Sequence, residues 1–217
     1  MKKKYYFLAF SILLGSCNPD KVDTKGVKEE MEKYKIKRIT SGEILSSSVN
    51  LGDELSSKIQ TSIDQKLDSA IKAGGIEAAL PFCIAQNNET LKGISKEYTA
   101  TIKRAGFPAK LRNEQNQPDS LQASLLEAYL FNKEKGFSLS GDALVREKEV
   151  IYNAPITIHS KTCLSCHGTV GTDIPEKEYQ KLKAKYPNDK SVNFKPDDPI
   201  GVWTIIFQKE TVIRNIK

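Results

Sequence analysis

The chain has 217 residues, of which 39% are hydrophobic and 28% charged, and a formal net charge of +6. That length can bury a core of its own as a single domain. Three of the lysines sit at Lys2, Lys3 and Lys4, and losing them takes the charge to +3, too small a basic excess for a nucleic-acid footprint, so no nucleic-acid partner is expected.

Behind those lysines, Tyr5 to Leu14 is an apolar stretch of ten residues. A bilayer span needs about 20, so the stretch fits the h-region of a secretory signal instead. Leu14-Gly15-Ser16-Cys17 resembles the bacterial lipobox, whose cysteine becomes the lipidated first residue. The expectation is a signal peptide over 1–16 and a lipid on Cys17 that holds the protein to a membrane of the bacterial cell envelope, facing the periplasm. Each buried methylene of such a chain contributes about 0.8 kcal/mol.

Residues 17–48 are polar at first and read as a tether with an N-terminal helix over Val27 to Ile39, and SSSVN at 46–50 as a turn or helix entry. Leu51, Leu55, Ile59, Ile63, Leu67 and Ile71 recur every four residues and predict a helix over 51–73, ended by Gly74-Gly75. A second helix starts at Ile76, with Ile76, Leu80, Cys83 and Ile84 on one face at helical spacing. Pro81 lies inside it and should kink or restart it, because proline lacks the N–H and clashes with the preceding turn. Tyr98 to Arg104 alternates as a half-buried strand does. GFPAKLRNEQNQP is turn-rich. Asp119 caps a helix over 120–134 with Gln122 as its capping-box partner, and Leu121, Leu125, Ala128 and Tyr129 form its apolar face. Two strands are expected within 143–158, a short exposed helix in PEKEYQKLKAKY, and a strand in IGVWTIIF at 200–207. Helices followed by mixed strands and helices predict an α+β domain over 49–217.

The segment TCLSCHG at 162–168 carries the chemistry. Covalent haem needs two thiols on one short turn for thioether bonds and a histidine directly after them for the iron; Cys163, Cys166 and His167 have that spacing. Zinc usually takes two such pairs, whereas here there is one pair, and His159 and His167 are the only histidines. A thioredoxin-like disulfide lacks its βαβ surroundings. Export favours haem, which is attached on the outer side of the inner membrane. One haem c per chain is expected, bound covalently. Methionine is a frequent second axial ligand, but only Met1 and Met31 exist, one in the signal and one in the tether. His159 is expected to be a satisfied surface or propionate-side histidine. With Cys17 lipidated, Cys83 is a leftover thiol, either a ligand or an inert buried cysteine.

GGIEAALPFC, RAGFPAKLRNEQNQPD, APITIHSKTCLSCHG and IGVWTIIF together resemble the c-type haem family of PAS-like bacterial exported domains, over about residues 50–209. The combination of Arg112, Asn113, Asn116 and Pro118 with a distant CLSCHG carries the specificity. The resemblance implies a PAS-like antiparallel sheet with flanking helices and a haem pocket on one side. It implies axial ligation by His167 and by Cys83, at the position of the family's upstream cysteine. It implies that Arg112 neutralises a haem propionate; the alternative is a surface or sheet-edge arginine. The chain departs from the family pattern at Pro81.

A thiolate ligand lowers the iron potential, and two filled axial positions leave no site for a substrate, so no enzyme activity is expected. A redox or gas sensor with His/Cys ligation is the first expectation, working through a signalling partner. A low-potential periplasmic electron-transfer cytochrome with a redox partner is the second. A lipoprotein binding module whose haem is structural or absent is the third.

Overall fold

A computed structural model describes residues 24–33, 39–83 and 89–216 of the protein, with the backbone alone at Glu32, Lys33 and Cys83. The signal peptide and Cys17 lie outside the described residues. The chain divides into two units, 1–38 and Ile39–Lys217. The first contains helix α1 (Thr24–Lys33). Among the described residues no helix is long and apolar enough to cross a membrane.

The second unit is an α+β domain of PAS-like type. Its sheet is antiparallel throughout, in the order β1 (Thr101–Gly106), β4 (Pro199–Gln208), β3 (Glu149–Thr157), β2 (Asp142–Val145). IGVWTIIF forms most of β4, which has a partner on each side. Both its faces are covered, which is why the run is apolar almost without alternation. On one face Trp203, Ile205 and Phe207 join Val150, Tyr152, Ala154 and Ile156 of β3 under helix α2 (Ser41–Ala79). On the other, Val202 and Ala105 pack against Leu126 and Tyr129 of helix α4 (Ser120–Glu134).

Helix α2 starts at Ser41, well before the expected Leu51, and the compact unit starts at Ile39 rather than at 49. The signal is local: the Thr40 side chain accepts from the Glu43 backbone N–H at 3.2 Å, and Glu43 accepts from the Thr40 N–H at 2.8 Å, a capping box. SSSVN is helical, not a turn. Ser48 is buried and donates back to the Ile44 carbonyl at 2.6 Å, so its hydroxyl does not compete with the helix. The stripe predicted from Leu51 to Ile71 faces inward: Leu51, Leu55, Ile59 and Ile63 are core, and Leu67 and Ile71 are half-buried. Gly74-Gly75 kinks α2, with Gly75 at φ 71°, a conformation that favours glycine. Only one more turn follows before a 3-10 turn over Leu80–Cys83, so the second helix is much shorter than expected and Pro81 lies at its change of pitch.

Helix α3 (Glu89–Glu97) and the helix over Lys209–Asn215 were not legible as helices. Tyr98 closes α3 by donating to Ile94, and Thr99 turns left-handed at φ 50°, so β1 begins at Thr101 rather than at Tyr98. α4 has the predicted bounds and both capping-box bonds. Its face is shifted: Gln122, Leu126 and Tyr129 are buried, whereas Leu121 is 39% exposed. The cause is polar. Gln122 turns inward and donates to Thr204 Oγ1 at 3.0 Å, and Thr204 donates to Asn153 at 2.8 Å, so a satisfied amide holds a position that counting apolar residues misses.

Gly52 lies mid-helix over the Tyr152 ring, where an added Cβ would stand 2.1 Å from ring carbons. Helix propensity alone makes Gly→Ala stabilising by about 1 kcal/mol, but overpacking costs about 1–3 kcal/mol and should win here. Gly52→Ala is expected to lower the urea midpoint. Gly93→Ala in α3, with nothing within 4 Å, is expected to raise it.

Candidate functional site

TCLSCHG forms a short helix, α5 (Lys161–His167), after β3. Ser160 caps it by accepting from the Cys163 backbone N–H at 3.2 Å. Gly168 ends it, and a side chain there would collide with Asp173 at 2.5 Å and the Leu164 carbonyl at 2.7 Å. Neither motif thiol is in a disulfide; Cys163 is half-buried and Cys166 buried. One helical turn puts Cys163, Cys166 and His167 on the wall of a single cleft. Its lining also takes in the α2 stripe through Ile63, Leu67 and Ile71, and Ile156, Ile200 and Trp203 of the sheet complete the apolar part. The same helical stripe is thus core in its first half and cleft wall in its second.

Polar side chains of α2 reach α5, the link before it and the sheet. Asp64 accepts from His159 Nε2 at 2.8 Å, and Asp68 accepts a short bond from the Thr162 hydroxyl. Gln60 accepts from Trp203 Nε1 at 3.1 Å and donates to Asp64 at 2.9 Å.

His167 is oriented from behind. Its Nδ1 lies 2.9 Å from the Ser191 carbonyl and 3.0 Å from the Ser191 hydroxyl. A carbonyl only accepts, so Nδ1 carries the proton and Nε2 keeps the lone pair. This is the arrangement of metal-ligating histidines, which donate their other N–H to a carbonyl or carboxylate. Phe194 meets the ring edge-on with centroids 6.3 Å apart. Burial, and then the Arg112 guanidinium, push the imidazole down to about 3, so it is neutral and able to ligate.

Arg112 is neither a surface nor a sheet-edge arginine. Its side chain is 8% exposed and pairs through Nε, at 3.1 Å, with the fully buried Asp189. Its Nη2 donates to the Cys166 carbonyl at 2.5 Å and to the Ser191 carbonyl at 3.3 Å. Asp189 in turn accepts from the Ser191 N–H at 2.8 Å. Arg112 therefore joins the carboxyl end of α5 to the loop that orients His167. Its Nη1 is buried with no partner, and Arg112 lines the cleft together with Lys110 and Arg104. Cys83 lies on the 3-10 turn that follows α2; the position of its side chain falls outside the described residues.

A family model described as Tll0287-like matches residues 26–208. The chain belongs to the Tll0287-like family. The crystal structure of the cyanobacterial haem protein Tll0287 matches with 20% identity and a TM-score of 0.50, covering 73% of this chain and 94% of that one. At that identity the likeness concerns the fold: this family member has the sheet and flanking helices that the sequence resemblance implied. No curated protein matches.

Asp189, Ser191, Asp64 and Gln60 were not predicted as site residues. The only local trace is the DKS turn, in which Asp189 receives the N–H two residues on, a turn signal with no hint of what it supports.

Two outcomes are expected. Arg112→Met leaves the buried Asp189 charge unpaired and should cost about 3–5 kcal/mol in urea unfolding, part of which Asp189→Asn restores in the double variant. His159 is the pH-sensitive element: burial opposes its charge, but the bonds to Asp64 and the Thr157 carbonyl outweigh it and raise its pKa. Its stabilising contribution is therefore full below the unfolded value of about 6.5 and is lost as pH rises through the folded value. In metal-free buffer the stability gap between wild type and His159→Gln should be larger at pH 5.5 than at pH 9.

Proposed function

We propose that the protein is an exported, lipid-anchored haem protein that senses redox state or a diatomic gas in the cell envelope. The observation that carries the haem reading is the shared cleft wall: both thiols of the motif and a neutral His167 with its Nε2 lone pair free lie on it together. The fit extends to the lining, apolar on α2 and the sheet and cationic at Arg104, Lys110 and Arg112, as an apolar macrocycle with acidic side arms requires. Membership of a family that includes a haem protein supports the same reading. Cys163 and Cys166 would hold haem c covalently, and His167 would ligate its iron. Arg112, whose charge Asp189 already balances, keeps Nη1 for a propionate.

Bound there, haem supplies a one-electron iron couple and an iron able to take a diatomic ligand. The chain contributes the rest. The Ser191 carbonyl holds the Nδ1 proton and so keeps His167 basic and fixed. The α2 stripe and Trp203 exclude water from the apolar part of the cleft. Cys83 is the proposed second ligand, by its match to the family's upstream cysteine. In a sensor, Cys83 would be the ligand able to give way, with a partner protein reading the change; in an electron carrier it would be a fixed ligand. Neither role calls for turnover of a substrate.

Spectra of the protein made with a haem-maturation system separate these readings. The ferric spectrum should change from low-spin thiolate type in wild type to a different form in Cys83→Ala. An unchanged spectrum contradicts thiolate ligation. Carbon monoxide binding on reduction is expected for the sensor; a reversible couple with no ligand exchange would instead make the protein an electron carrier.

A further inference from the structure

The link between β3 and α5 brings together donor atoms that haem attachment does not account for. Asp64 of α2, His159 of the link and Cys163 of α5 present a carboxylate oxygen, a ring nitrogen and a sulfur, all within 4.8 Å of one another. We infer that, in the chain whose Cys163 has not yet formed a thioether, these three residues bind one zinc-like divalent cation.

The donor set is an oxygen, an imidazole nitrogen and a thiolate. That mixture suits zinc rather than magnesium or calcium, which take oxygen. Three protein ligands with water as the fourth is an arrangement zinc adopts when it keeps an open position. Each ligand already has an outer partner aiming it inward. His159 Nδ1 lies 2.9 Å from the Thr157 carbonyl, which keeps a proton there, so Nε2, the donor to Asp64 in the metal-free chain, is the nitrogen that can give up its proton to a metal. Asp64 Oδ1 is held by Gln60 at 2.9 Å, leaving Oδ2 toward His159. Cys163 Sγ lies 3.2 Å from the Ser160 hydroxyl. Such outer contacts orient metal ligands and set their affinity.

The fit needs little movement. Bonds of about 2.0–2.3 Å place tetrahedral ligand atoms roughly 3.5 Å apart, whereas Asp64 Oδ2 and His159 Nε2 now touch at 2.8 Å. The cation would separate this pair by less than about 1 Å and take its place between them. On binding, the Cys163 thiol proton and any proton on His159 Nε2 leave to solvent, and no electrons move. A sequence count of cysteines and histidines misses this group, because its third ligand is a carboxylate 95 positions before His159.

The consequence is competition at one sulfur. A thioether carries no thiolate charge, so attachment at Cys163 and metal binding exclude each other. The cation would cap the motif's first thiol and must leave before haem is joined to it.

The test is cobalt titration of the full chain produced without haem attachment and kept reduced, followed by zinc displacement. One equivalent of cobalt should give thiolate charge-transfer and tetrahedral bands. Asp64→Asn and His159→Gln should each weaken binding at least about tenfold, and Gln60→Ala by about tenfold through the outer contact, with far-UV circular dichroism unchanged. The haem-loaded chain should show no cobalt bands. Absence of thiolate bands in the folded chain overturns the inference. So does binding that survives both variants and is lost in Cys166→Ser, which would put the metal on the cysteine pair, or equal binding by the haem-loaded chain. Covalent haem is read separately, by absorbance in denaturant, so failure of the metal site and failure of the haem reading are distinguishable.

Discussion

The buried pair of Arg112 and Asp189 is the interaction on which the site depends. A buried ion pair seldom adds stability over well-packed apolar side chains, and its removal from one side is what costs. Its use here is positional. Asp189 holds the Ser191 N–H, Arg112 holds the Cys166 and Ser191 carbonyls, and Ser191 holds His167. One guanidinium thus ties the end of the motif helix to the loop that selects the histidine tautomer. Were Arg112 to meet a propionate, as proposed, a single nitrogen, Nη1, would do so, because Nε and Nη2 are bonded inside the protein.

Helix α2 is the second constraint. Its apolar stripe crosses the sheet as core and then runs on as cleft wall, so the same periodicity that folds the domain also shapes its pocket. Its polar flank is equally specific. Gln60, Asp64 and Asp68 reach Trp203, His159 and Thr162 in turn, setting the distance of α5 from the sheet. After the Gly74-Gly75 kink, Ile76 and Leu80 pack beside Cys166 and lead into the 3-10 turn that carries Cys83.

What the sequence revealed follows from how local each signal is. The TCLSCHG motif, the α4 capping box and the central strand are written in contiguous residues, and each was legible, though not that the motif would be helical. The start of α2 was also written, as Thr40 to Glu43, but a run of serines concealed it. The inward face of α4 was not legible, because Gln122 is buried only through a partner 82 positions away. Arg112 could be singled out by resemblance, yet its pairing with Asp189, 77 positions on, exists only in the fold. The same holds for Asp64 beside His159 and Cys163. Export, the lipid on Cys17 and ligation by Cys83 stay where the sequence put them, as parts of the proposal.

The most direct measurement is the intact mass of the denatured protein after production with a haem-maturation system. A gain of one haem in the wild type is expected, lost when Cys163 and Cys166 are both replaced by serine. A wild-type chain that folds and passes through the same system with no added mass would contradict the central claim.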